Sequence, residues 1–122
     1  MRRESAYVRD ALRAITELEE FVSQSSREQF LADRLQQSFV FHRLVILGEA
    51  AVALAKTFQE KYPEVPWPRL ISLRNRLVHA YFDLDMPLMW GIASSHLDEL
   101  HRQLQRILEL EFPDEIEPEP DK

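Results

Sequence analysis

Residues 74–81 read Arg-Asn-Arg-Leu-Val-His-Ala-Tyr, which places a guanidinium, an amide, an imidazole and a phenol within eight positions. Arg74 offers a planar donor fork that matches phosphate oxygens and stays charged at any working pH. A histidine side chain ordinarily titrates near neutrality, which makes His79 a candidate to accept and return a proton. Together they suit phosphate chemistry. The same residue types also occur on solvated helix faces or in satisfied buried networks, and spacing alone leaves those readings open. Each helical residue turns about 100°, so Asn75 and His79, four apart, share one flank, and Arg74 and Tyr81, seven apart, are nearly in register. Arg74 and His79 are five apart and diverge by about 140°. One undistorted helix does not aim both at one small ligand. Either the helix distorts near its end, or the target is extended, or a second copy contributes.

The elements that position these residues are helical. Val8, Leu12, Ile15, Leu18 and Val22 recur at helical spacing and predict a first helix over residues 7–22. Ser25 and Glu28 fit a capping box that opens a long helical region reaching Tyr62. Phe39-Val40-Phe41 runs across its apolar stripe, which predicts a kink or break there. Gly48 in mid-helix costs roughly 1 kcal/mol relative to Ala, and close approach of another helix would explain it. Pro63, Pro66 and Pro68 end that region, and Pro68 fits the first turn of the motif helix. Leu70, Leu73 and Leu77 give that helix its apolar stripe, with Arg74 and His79 flanking it. Asp85 is a plausible cap before a last helix over residues 88–110, whose stripe includes Met89, His96 or Leu97, Leu100, Leu104 and Ile107. The expected fold is all-α, a mostly antiparallel bundle of four to five helices. Residues 1–112 are expected to form one domain and residues 113–122 an acidic, disordered tail.

Composition narrows the chemistry. The chain has 122 residues, no cysteine and two glycines, so disulfides, thiolate chemistry and a glycine-rich phosphate loop are excluded. The net charge is −6, but seven of the 21 acids and one of the 15 bases lie in residues 109–122. The first 108 residues are therefore neutral, which permits an RNA partner without arguing for one. No signal-peptide core or membrane span is visible, which predicts a cytoplasmic protein with no membrane partner.

Other constellations are weaker. His96 and His101 are five apart, no His-Glu-x-x-His is present, and no metal site is expected. His42 beside Arg43 reads as packed or interfacial. Trp67 and Trp90 read as core or interface aromatics. Glu49, next to Gly48, either faces solvent or pairs with an arginine of the motif helix.

Leu47-Gly48-Glu49-Ala50-Ala51, then residues 62–67 (Tyr-Pro-Glu-Val-Pro-Trp), then Arg74-Asn75-x-Leu77-Val78-His79-x-Tyr81-Phe82 and a downstream Trp90 resemble the HepT-like branch of the HEPN superfamily. The resemblance covers roughly residues 5–110. It implies an all-α, metal-independent endoribonuclease toxin of a type VII-like two-gene toxin–antitoxin module, with no cofactor. It implies a homodimer whose two Arg-x4-His motifs face one another across a cleft, so that both residue types reach one scissile phosphate of an RNA substrate. The partner would be a minimal nucleotidyltransferase antitoxin that adenylylates the motif tyrosine. Carried over, Arg74 and His79 are catalytic, Asn75 supports them and Tyr81 is the modification site. The acidic tail has no counterpart in this pattern. The other reading is a catalytically weak binding module that docks the nucleotidyltransferase, with the motif as docking or nucleotide-sensing site.

Overall fold

The chain alternates long apolar-striped helices with short breaks. The structure, a computed structural model, describes residues 3–95 and 97–115, with all their side chains except those of Tyr81 and Glu115. Its α-helices are α1 (Glu4–Ser23), α2 (Arg27–Ala32), α3 (Arg34–Ala53), α4 (Lys56–Lys61), α5 (Trp67–His79), α6 (Met86–Ser95) and α7 (Asp98–Glu111). Two 3-10 turns, Tyr81–Asp83 and Pro113–Glu115, complete the described chain, and no strand occurs among the described residues. The all-α bundle expected from periodicity is the fold. Its five helices of ten residues or more carry the core, and α2 and α4 are single short turns at the breaks.

The first break falls at Asp33, not near Phe39. Asp33 takes extended backbone angles, ends α2 and caps α3, its Oδ1 accepting from the Leu35 N–H at 2.9 Å and the Gln36 N–H at 3.4 Å. Gln37 Nε2 donates to the Phe30 and Leu31 carbonyls, so the groups left by the break are satisfied. The run Phe39-Val40-Phe41 needs no kink because its residues are used on different sides. Val40 is fully buried, and Phe39 lies against Phe21 with ring centroids 5.3 Å apart. The cap of α2 is Ser26, one residue beyond the expected Ser25, and its Oγ accepts from the Gln29 N–H at 3.2 Å. Ser25 donates instead to Gln36 Oε1 across the break at 2.6 Å. At the far end of α3, Leu54 turns extended, and Gln59 Nε2 donates to the Ala51 and Leu54 carbonyls.

The core is one continuous cluster. Val8, Ile15 and Leu18 of α1, Val40, Leu44 and Leu47 of α3, and Leu104 and Ile107 of α7 lie at its centre. Burying such side chains stabilises by roughly 1.5–3 kcal/mol each. Trp67 is core as expected, its indole donating to the Gln59 and Tyr62 carbonyls. Trp90 is half-buried against Phe30 and Phe21.

The helix expected over residues 88–110 is described as two helices, α6 ending at Ser95 and α7 beginning at Asp98. Asp85 does cap α6, accepting from the Leu88 N–H at 3.0 Å. Leu97 is buried and continues the stripe, and His96, the alternative, lies outside the described residues. The Phe112 ring stacks on Phe58 at 6.1 Å and is followed by the turn at Pro113–Glu115. Residues 116–122, the rest of the expected tail, lie outside the described residues.

Candidate active site

Helix α5 exists because three prolines halt the preceding chain and Pro68 then sits in its first turn. Leu70 and Leu77 bury toward α3, and Leu73 is partly buried. The helix stays regular to His79, and the Ala80 N–H closes its last turn onto the Arg76 carbonyl at 2.9 Å. Arg74 and His79 therefore keep the roughly 140° divergence of an ideal helix. Distortion at the helix end, one of the three routes to a shared target, does not occur.

Arg74 is half-buried where α5 crosses α3. Gly48 is the crossing point: a Cβ added there would lie 2.4 Å from the Arg74 Cβ, 2.9 Å from the Leu70 carbonyl oxygen and 3.2 Å from the Arg74 Cα. This is the close approach that a mid-helix glycine predicts. The next residue, Glu49, pairs with the motif helix rather than facing solvent alone. Its Oε1 accepts from Arg74 Nε at 2.7 Å. Asn75 Oδ1 accepts from Arg74 NH1 at 2.8 Å, so Asn75 touches the arginine directly. Both Glu49 and Asn75 are exposed.

His79 is exposed, closes α5, and has no hydrogen-bond partner among the described residues. Tyr81 departs from the helical register. Ala80 leaves helical geometry at φ −107° and ψ 31°, and Tyr81 opens the 3-10 turn that follows. Seven-residue spacing from Arg74 therefore does not fix where Tyr81 points, and its side chain lies outside those described. The neighbouring Phe82 is 98% exposed.

The site thus joins two flanks of one helix: a guanidinium braced by two acceptors, and an imidazole open to solvent one turn beyond. Sequence spacing singled out Arg74, Asn75 and His79, and it offered the Glu49 pair as one of two readings. No run of sequence pointed to Ile71, Val45 and Val52, which lie three or four residues from Arg74 or Glu49 on α5 and α3, because they look like core positions until the tertiary arrangement leaves them partly open.

Residues 11–107 match the protein family described as Ribonuclease HepT-like. The chain belongs to that family. It is 32% identical over 101 residues to "Probable ribonuclease HepT" of Thermococcus cleftensis, covering 83% of this chain and 92% of that one. It is 30% identical over 111 residues to "Putative RNase MJ0127" of Methanocaldococcus jannaschii, covering 90% and 92%. It is 32% identical over 105 residues to "Putative RNase TTE0752" of Caldanaerobacter subterraneus, covering 86% and 94%. No solved structure matches it significantly.

Elsewhere, His42 is exposed, and its Nδ1 accepts from Arg43 NH1 at 2.9 Å, since a guanidinium can only donate. Arg43 also pairs with Glu17 at 3.2 Å and lies over the Phe39 ring. His101 pairs with Glu19 across α7 and α1 at 2.8 Å. Among the described residues, no group of three His, Cys, Asp or Glu side chains is placed to hold a metal ion. No helix among them is long and apolar enough to cross a membrane.

Proposed function

We propose that the protein is a metal-independent endoribonuclease toxin of a HEPN/nucleotidyltransferase module, active as a homodimer, with Arg74 and His79 as its catalytic pair. The observation that carries this reading is a regular α5 bearing a braced Arg74 and an open His79, inside a chain of the HepT-like ribonuclease family. His79 removes the proton of the RNA 2′-hydroxyl as that oxygen attacks the adjacent phosphorus. Arg74 stabilises the charge that builds on the pentacoordinate phosphate. The bond from phosphorus to the 5′-oxygen breaks, and an imidazolium returns a proton to that oxygen. The products are a 2′,3′-cyclic phosphate and a 5′-hydroxyl. The nucleophile belongs to the substrate, so the step calls for no metal.

A second copy supplies what one helix cannot. Val45, Glu49 and Val52 line one flank of α3 at spacings of four and three, and Ile71, Asn75 and Val78 do so on α5. The Glu49–Arg74 pair joins these flanks. Val52 is 42% and Val78 43% exposed, and Phe82 extends the patch. An apolar surface around a polar catalytic pair suits a self-complementary interface, which would bring Arg74 of one copy toward His79 of the other.

Control by the nucleotidyltransferase would fall on Tyr81. An adenylyl group there adds a phosphate and bulk within two residues of His79, against the charge and space that an RNA backbone needs.

The test is cleavage of RNA in the presence of a chelator by the wild type, Arg74→Ala and His79→Ala, with product ends identified by mass. Cleavage to cyclic phosphates by the wild type, abolished in both variants that keep wild-type helicity, is expected. Near wild-type cleavage by either variant refutes the assignment, and an inactive wild type favours the docking module. Coexpression with the neighbouring nucleotidyltransferase should add one or more adenylyl units, absent in Tyr81→Phe. A shift that persists in Tyr81→Phe removes that residue from the mechanism.

A further inference from the structure

We propose that Glu49 is a positioning residue for Arg74: it fixes which edge of the guanidinium faces the RNA phosphate, at a height on α5 that Gly48 sets. The proposal rests on the ribonuclease reading above and goes beyond it in assigning a function to the α3 side of the site.

An arginine on a helix surface samples many rotamers, and a catalytic guanidinium that must be ordered in every turnover loses rate to that search. Here the search is removed in two steps. The absence of a Cβ at Gly48 lets α5 seat with the Arg74 Cα against α3, where an added Cβ would be 3.2 Å from that atom and 2.4 Å from the Arg74 Cβ. The root of the side chain is thereby fixed by backbone contact. Glu49, one residue on, then accepts a hydrogen bond from Nε–H at 2.7 Å, while Asn75 Oδ1 accepts one from NH1 at 2.8 Å.

A guanidinium is planar and carries five N–H donors. Bonds at Nε and NH1 fix its plane. The NH2 donors have no acceptor among the described residues, and Arg74 retains 29% side-chain exposure through which a phosphate can reach them. Glu49 is itself 48% exposed. An ion pair this open adds little to stability, so its selective value lies in orientation. The same carboxylate lowers the net charge beside the phosphate. Removing it therefore affects binding and turnover in opposite directions, which a purely structural residue does not do.

The experiment compares Glu49→Ala and Glu49→Gln with the wild type and His79→Ala in steady-state cleavage of a fluorogenic RNA, with melting temperature read in parallel. Gln retains an oxygen that accepts from Nε but lacks the charge. Glu49→Ala is expected to lower kcat by about 10- to 100-fold without raising KM and without lowering the melting temperature. Glu49→Gln is expected to recover most of kcat and to bind RNA more tightly than the wild type at low salt. Wild-type kcat in Glu49→Ala, a loss confined to KM, a matching loss of stability, or no recovery in Glu49→Gln each overturns the positioning role. If the wild type itself leaves RNA intact, the ribonuclease reading fails and the proposal with it. If the wild type cleaves, His79→Ala does not, and Glu49→Ala matches the wild type, only the role of Glu49 is wrong.

Discussion

The two glycines of the chain should respond to the same substitution with opposite signs. Both lie inside helices, Gly48 in α3 and Gly91 in α6. Replacing a helical glycine with alanine favours the helix by about 0.8–1 kcal/mol, partly by restricting the unfolded chain. At Gly91 an added Cβ meets no heavy atom within 4 Å, so that gain should appear almost undiminished. At Gly48 the Cβ would lie 2.4 Å from the Arg74 Cβ and 2.9 Å from the Leu70 carbonyl oxygen. Carbon atoms rest at about 3.5–4.0 Å, so α5 would have to retreat by about 1 Å or more. Neither obstacle can rotate away, because one is backbone and the other is the root of a side chain. Overpacking of this kind costs roughly 1–3 kcal/mol or more, which exceeds the propensity gain. Gly48→Ala should therefore lower stability by up to about 2 kcal/mol, and Gly91→Ala should raise it by up to about 1 kcal/mol. For a chain of this size 1 kcal/mol moves the melting temperature by about 3–6 °C. Thermal and denaturant unfolding at one fixed protein concentration would read both shifts. Stabilisation by Gly48→Ala equal to that of Gly91→Ala would refute the close crossing of α3 and α5, and with it the account of how Arg74 is held.

Two further outcomes follow from other parts of the molecule. Val78→Asp should shift a wild-type homodimer toward monomer in light scattering at micromolar concentration, because it places a charge in the apolar surround of the catalytic pair; a monomeric wild type would sink the interface. The Tyr62 hydroxyl donates to Glu111, and burial, followed by that hydrogen bond, pushes the phenol up to about 12 from 10.0. The folded state thus favours the protonated phenol. Its contribution, about 1 kcal/mol from the hydrogen bond, is fully present below pH 10 and is lost as pH rises through about 12. Tyr62→Phe should be less stable than the wild type at neutral pH by about that amount, with the gap closing at high pH. A gap that stays constant in urea melts up to pH 12 would contradict the shift.

How much was legible in the sequence depended on whether the deciding interaction was local. Periodicity found the long helices because each buries a stripe, and the Pro-Trp-Pro run and Asp85 marked the start of α5 and α6 through chemistry within four residues. The break at Asp33 was missed because it is held by contacts beyond neighbouring residues, with Ser25 donating to Gln36 Oε1 and Gln37 donating to the Phe30 carbonyl. Phe39 and Phe41 suggested a kink only so long as one stripe was assumed; α3 is apolar on several sides because α1 and α5 both lie against it. The divergence of Arg74 and His79 was readable from spacing, and so was the possibility of a Glu49 pair. The seven-residue register from Arg74 to Tyr81 was not a safe guide, because it presumed a helix that ends at His79.

The regularity of α5 bears directly on how the chemistry can be done. Had the helix unwound at its end, one chain could have turned His79 toward Arg74 and completed a site alone. Instead the last turn is closed by the Ala80 bond to Arg76, and Arg74 is tied back toward α3 by Glu49. Both constraints oppose bringing the two side chains of one copy onto one phosphorus. Of the two routes that remain, an extended RNA could touch Arg74 and His79 at different nucleotides, but general acid–base transfer and charge stabilisation must act on the same pentacoordinate centre. On the proposed mechanism, a second copy placing its His79 opposite the first copy's Arg74 would meet that requirement while leaving α5 unstrained. If Arg74 and His79 are the catalytic pair, the ion pair that ties Arg74 toward α3 would then also make the active site a property of the dimer.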